Sequence, residues 1–260
     1  MSKQTVKIVS GWSNPGGSTA HHIFLSNLLN ENGYDCTFYG PHDWHLDKCQ
    51  GAKINDAKLN VHDIVISHFI EIRFDQCKKH ILSCHETNLF PLKHFDLSKC
   101  DAVQFVSNSQ KKWHSVNHPS VIIPPHVDII EWKKPNNKVA GVVGSIDPHK
   151  QTHVSIESAL RQGYKKVLLY GQATDEQYFK NNIEKYIRSG DVEHRGHEDD
   201  KERLYGSVDA VFHHSIRETY GLVEAECKAA GVPFIGHHND PEIISDEEIL
   251  ERWNKVLQSS

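Results

Sequence analysis

Glu218 and Glu226 stand eight positions apart in the segment RETYGLVEAECKAAGVPFIG, residues 217–236. A carboxylate can accept hydrogen bonds from neighbouring hydroxyls, so two of them at this spacing can hold two polyol groups. The run DAVFHHS before them has the apolar character of a strand. Gly221 to Ala230 has the pattern of a helix closed by Gly231 and Pro233. Glu218 therefore falls in the loop at the strand's carboxyl end, and Glu226 inside the helix. At the helix start the amides of Tyr220, Gly221 and Leu222 offer an anion site. The layout suits a nucleotide sugar, with the diphosphate at the helix start, one carboxylate on the ribose and the other on the sugar. A helix-terminal charge followed by a solvated glutamate on the next turn has the same spacing.

Three other segments carry candidate chemistry. GWSNPGGST (11–19) places Gly16 and Gly17 before a helix, where a backbone can approach a ligand closely. Its spacing is not GxGxxG, so the nicotinamide or flavin fingerprint is absent, and a tight turn explains it equally well. GSIDPHKQ (144–151) sets Gly144, Ser145 and Lys150 after a strand, with Lys150 placed to neutralise a phosphate; surface lysines also occupy such positions. HILSCHETNLFP (80–91) places His85 and Glu86 just past a strand, where a ligand contact and a structural hydrogen bond are equally open. Among the 20 histidines, the spacings His42/His45 and His194/His197 do not extend to a recognisable set of three or four ligands. No metal is expected.

The elements that position these residues alternate in type. VKIVS, CTFYG, DIVISH, HILSCH and AVQFVS are near-continuous apolar runs of parallel-sheet type, with a helical stretch after the first. VIIPPHVDIIEWKKPNNK (121–138) breaks the alternation and is expected to be a linker. The alternation then resumes through VAGVVGSI, KVLLYG, VEHRGH, DAVFHHS and PFIG, with helices between them and a last one from about Asp246 to Leu257. Two Rossmann-like βαβ halves are the expected fold class. At 260 residues the chain can bury a full core, and a net charge of −5 gives no general attraction to nucleic acid or an anionic membrane. Six cysteines without a C-x-x-C pair, and the absence of a signal-like or membrane-spanning apolar run, lead us to expect a cytoplasmic setting with free thiols.

Taken in order, these pieces resemble the retaining GT-B glycosyltransferases of family 4 over nearly the whole chain. NPGGST is similar to the family's N-terminal glycine-rich loop, VSNSQKKW to its strand-then-serine segment and IIPPHVD to its hinge signature. GVVGSIDPHKQTHVSIESAL and KVLLYGQ resemble its next elements. The block from Val192 to Gly236, with both glutamates, matches most specifically. The resemblance implies two domains facing each other across a cleft: 1–125 on the acceptor side, 126–245 on the donor side, and 246–260 as a helix packing back towards the first.

By the same resemblance Glu226 binds the ribose and Glu218 the donor sugar. Tyr220, Gly221 and Leu222 lend backbone donors, and Lys150 stabilises the departing diphosphate. His85 approaches the transferred sugar, and Gly16 and Gly17 cap the donor or leave room for the acceptor. Ser145 departs from the family pattern by replacing a diphosphate-clamping arginine, and Arg217 is a candidate substitute. The implied activity is metal-independent transfer, with retention, of a hexosyl or pentosyl group from a nucleotide diphospho-sugar to a hydroxyl acceptor such as a glycan or small glycoside, by a monomer or homodimer. Two alternatives stand beside it. In one the acceptor is a hydroxymethylated base of viral DNA, with which the patches QKKWH and WKKPNNK are compatible; nucleic acid enters only in that role. The other is a nucleotide-sugar-binding module with weak catalysis.

Overall fold

Apolar runs with little alternation make strands that are buried on both faces, and here they build two parallel sheets. The computed structural model describes residues 3–12, 16–54, 58–70, 77–87 and 96–259. Residues 13–15 of the first glycine-rich loop and 88–91 after His85 lie outside them. The chain divides into two units, Met1–His126 with Ile244–Ser260, and Val127–Ile243.

In the first unit β1 (Thr5–Ser10), α1 (Gly17–Glu31), β2 (Asp35–Gly40), β3 (Ala52–Ile54), β4 (Ile64–His68), β5 (Lys79–Cys84), β6 (Ala102–Phe105), α2 (Asn108–His114) and β7 (Ser120–Ile122) follow in turn. The sheet order is β3-β2-β1-β4-β5-β6-β7. All its pairs are parallel, and Ser10 is registered against His68.

The second unit contains β8 (Val139–Val143), α3 (Thr152–Arg161), β9 (Lys166–Tyr170), then α4 (Glu176–Tyr178) and α5 (Glu184–Arg188) joined by a π-helical turn. β10 (Val192–Gly196), α6 (Lys201–Gly206), β11 (Ala210–His213), α7 (Leu222–Ala230) and β12 (Phe234–Gly236) complete it. Its sheet is again parallel, in the order β10-β9-β8-β11-β12. Both sheets reverse direction beside their first strand, at β1/β4 and β8/β11, and a crevice at the carboxyl ends of such a switch point is the usual ligand position in this architecture.

The last helix, α8 (Asp246–Gln258), starts at a serine N-cap: Ser245 accepts from the Glu248 amide, and Asp246, Glu247 and Glu248 fill the first turn. Ile249, Trp253, Val256 and Leu257 share one face and join the core of Val6, Ile8, Phe38, Ile64 and Leu25 in the first unit. Two short elements, β3 and β7, escape a sequence reading because three residues are too few to show a period. The segment 121–138 is not a free linker: its start lies in β7, Ile123 is fully buried and Ile130 packs in the second unit's core. Apolar residues close to its prolines hold it down. Among the described residues no helix is long and apolar enough to cross a membrane.

Candidate functional site

The loop after β8 is organised by Asp147. Its Oδ1 accepts from the Lys150 amide at 2.8 Å, and its Oδ2 from the Ser145 hydroxyl at 2.6 Å and the Thr174 hydroxyl at 3.3 Å. An aspartate that binds an amide three residues on forms a local turn, and this one sets where Lys150 points. His149 Nε2 donates to the Arg217 carbonyl at 2.7 Å, and the Ile216 amide donates to the His149 carbonyl at 2.9 Å. Those two bonds stitch the loop after β8 to the loop after β11. They bring together residues that are 68 positions apart: Lys150 Nζ lies 2.5 Å from Glu218 Oε1.

Glu218 Oε1 has a second partner. His213, the last residue of β11, places Nε2 at 2.8 Å from it, while its Nδ1 donates to the Val143 carbonyl on neighbouring β8 at 3.1 Å. Both contacts of the carboxylate fall on Oε1. Burial would raise the Glu218 carboxyl, but the hydrogen bond from His213 and the charge of Lys150 outweigh it and hold it down to about 2. A Cβ on Gly144 would make only ordinary contacts, 3.8 Å from His213 Cε1 and 4.0 Å from the Lys150 stem, so its φ of 131° and not crowding calls for glycine there. Arg217 has an exposed side chain, and its carbonyl, not its guanidinium, is what ties it to His149.

Gly221 caps α7 in the left-handed region, at φ 88°, with no side-chain cap. The amides of Tyr220, Gly221 and Leu222 donate to no group among the described residues, so the helix start presents them. Tyr220 is buried, and its hydroxyl donates to the Glu242 carbonyl at 2.7 Å. Burial, reinforced by Glu242, pushes its phenol up. Glu226 lies inside α7 and is 3% exposed, but it is not unpaired: Tyr205 donates to Oε2, and Lys201 Nζ stands 3.0 Å from Oε1. Glu224, between the two motif glutamates, carries no signal of its own in the sequence. This buried carboxylate accepts from His238 Nδ1 at 2.8 Å and the Asn239 amide at 2.6 Å, and so anchors the loop after β12 to the first turn of α7.

Gly16, Gly17 and His85 lie in the first unit. Gly16 is the N-cap of α1 and Gly17 its first residue. His85 sits just past β5 among His21 and His22 of α1 and His68 of β4, with ring centroids 5.1, 4.9 and 5.4 Å away. His85 and His22 share the Ser83 hydroxyl, and His68 bridges Ser10 at 2.8 Å and Glu86 at 2.9 Å. His21 has no hydrogen-bond partner at either ring nitrogen among the described residues. Burial, then neighbouring histidines, hold His22 and His85 well below the usual histidine range and lower His21 to about 3. These rings are neutral.

Two parallel Rossmann-like units, with the carboxyl end of each switch point furnished with polar side chains, define the fold class of the GT-B glycosyltransferases. Residues 128–252 match the family described as glycosyl transferases group 1. The solved structure of Anabaena HepE in complex with UDP and glucose is 15% identical, with a TM-score of 0.69 over 98% of this chain and 90% of that one. TarM is 11% identical, with a TM-score of 0.69 over 98% and 91%. WaaG, a glycosyltransferase involved in lipopolysaccharide biosynthesis, is 16% identical, with a TM-score of 0.63 over 98% and 90%. At such identities the likeness is one of fold. None of the curated proteins matches the sequence.

Proposed function

We propose that the chain is a retaining glycosyltransferase that moves a sugar from a nucleotide diphospho-sugar to a hydroxyl acceptor. The observation that carries this reading is the pairing at the β8/β11 switch point: Lys150 and Glu218 in contact, beside the unengaged amides that open α7. The match of residues 128–252 to a glycosyltransferase family supports it, and the HepE complexes favour UDP-glucose as the first donor to try.

In this reading the bond from the anomeric carbon to the diphosphate oxygen breaks while the acceptor hydroxyl approaches on the same face, through an oxocarbenium-like state. The acceptor's proton passes to the departing diphosphate. Lys150 and the amides of Tyr220, Gly221 and Leu222 meet the charge that grows on that diphosphate, with no divalent ion called upon. Glu218 accepts from the sugar hydroxyls and Glu226 from the ribose. Each carboxylate oxygen has two lone pairs, so Glu226 can take a ribose hydroxyl beside Tyr205 while Lys201, at the rim, gives way. His85, Gly16 and Gly17 are assigned to the transferred sugar and the acceptor. Arg217 remains the proposed stand-in for the arginine absent at Ser145.

The test is release of UDP from UDP-glucose, with GDP- and ADP-glucose alongside, followed by NMR of the product's anomeric configuration. Lys150→Ala is expected to lower turnover by about 10²–10³-fold, the usual effect of removing one preorganised charge or donor. Absence of binding to every nucleotide sugar, or an inverted product, overturns the reading.

A further inference from the structure

The proposed reaction asks Lys150 to serve two masters, because its Nζ already pairs with Glu218 and is also the group that meets the diphosphate. Turning towards the phosphates takes a partner from a carboxylate whose side chain is only 14% exposed. We propose that His213 is the positioning residue that resolves this: it holds Glu218 through Oε1, so that Oε2 faces the donor sugar and Lys150 is released for the diphosphate.

His213 is built for the task. Its Nδ1 lies 3.1 Å from the Val143 carbonyl and its Nε2 2.8 Å from the Glu218 carboxylate, so each ring nitrogen faces an acceptor. A carbonyl at the end of β8 fixes the ring plane, β11 fixes its backbone, and the side chain is 6% exposed against 24% for Lys150. Of Glu218's two donors, His213 is the one with no room to leave. Among the described residues the contacts of Glu218 fall on Oε1, and Oε2 is the oxygen assigned to a ligand hydroxyl. Nothing in the sequence motif marks the residue, which lies there at the end of the strand-like run DAVFHHS.

This inference rests on the proposed function, and its test separates the two. His213→Phe keeps the ring volume without a donor, and His213→Gln restores one. In the ligand-free protein, carboxyl NMR is expected to find Glu218 titrating near 2 in the wild type, higher in His213→Phe, and between the two in His213→Gln. With UDP-glucose, loss of a charge-assisted bond predicts a fall in kcat/KM of about 10- to 100-fold for His213→Phe, partly recovered by His213→Gln. Affinity for UDP alone, which lacks the sugar, is expected to hold in both variants and to fall in Lys150→Ala. Unchanged turnover in His213→Phe, an unmoved Glu218, or equal losses for UDP and UDP-glucose overturns the proposal. If His213→Phe does not fold, the same comparison is made with His213→Gln, where an unmoved Glu218 and unchanged kcat/KM overturn it. If the wild type binds no nucleotide while Glu218 still titrates low, the proposed function has failed and His213's part in donor handling fails with it.

Discussion

Glu226 shows why a variant at a ligand-binding carboxylate must be read together with its stability. Buried in α7, it holds the Tyr205 hydroxyl on one oxygen and Lys201 on the other. Glu226→Ala strips the acceptor from a fully buried phenol and opens a cavity in α7, while Lys201 at the rim turns to water, so a loss of about 2–4 kcal/mol is expected. Tyr205→Phe removes one charge-assisted bond and keeps the packing, so roughly 1.5–3 kcal/mol is expected. Denaturant unfolding of the two variants checks the order, and a smaller loss for Glu226→Ala would show the contacts to be idle. At the same scale the Ser145 hydroxyl donates to Asp147, whose other oxygen accepts from the Lys150 amide, so the side chain that stands in place of the family's arginine is tied into the loop that carries Lys150.

Elements reach the site only because their ends approach closely, and glycine makes one such approach possible. A Cβ on Gly171, at φ 139°, would lie 1.8 Å from the Gly144 carbonyl oxygen, so the loops after β9 and β8 exclude any side chain there. Gly171→Ala is expected to abolish the cooperative unfolding of the second unit and, with it, nucleotide binding. Gly163→Ala is the control. Its φ is also positive, at 82°, but no atom lies within 4 Å, so only the backbone penalty of about 1–2 kcal/mol remains. Thermal unfolding of both variants, showing comparable small losses, would mean the loops can part. The two glutamates and the lysine were legible in the chain order because each lies in a loop or first turns beside a recognisable strand. His213, Glu224 and Tyr205 were not, because a buried polar residue within an apolar run declares no partner until the partner's position is known.

Across the whole molecule the titratable groups are unevenly shared. The first unit keeps His21, His22 and His85 neutral by burial, with each ring facing other histidines: His68 in every case, His126 beside His21, and Glu86 on His68. Their folded values lie below the ordinary one of about 6.5, so above that pH both folded and unfolded chains are neutral and the cluster costs nothing. Below it the unfolded chain takes up protons that the folded one refuses. Stability then falls by about 1.4 kcal/mol per histidine for each pH unit, until the folded value is reached near 3 for His21. Glu218 works in the same sense but in a lower window: its contribution is complete above the ordinary carboxyl value of 4.5 and is lost as pH falls from there towards about 2. Between pH 7.5 and 5 the amides of β1, β4 and β5 are therefore expected to lose far more hydrogen-exchange protection than those of β8, β9 and β11. Equal losses would show that the rings gain protons without cost.

By itself the sequence determined that there would be two alternating sets of strands and helices, and that acidic and basic residues would gather at strand ends. Those are local matters, set by apolar runs, helical spacing, glycines and caps. It also determined that α7 would open on unpaired amides, since Gly221 offers no capping side chain. The tertiary structure alone decided who meets whom. The order β10-β9-β8-β11-β12 sets β11 beside β8, so that His213 reaches the Val143 carbonyl 70 residues back while Glu218 finds Lys150. Likewise α1, β4 and β5 bring four histidines within about one ring's reach of each other. Hydrogen bonds and desolvation act over a few ångströms of space, and strand order, not chain order, decides which residues fall within that distance.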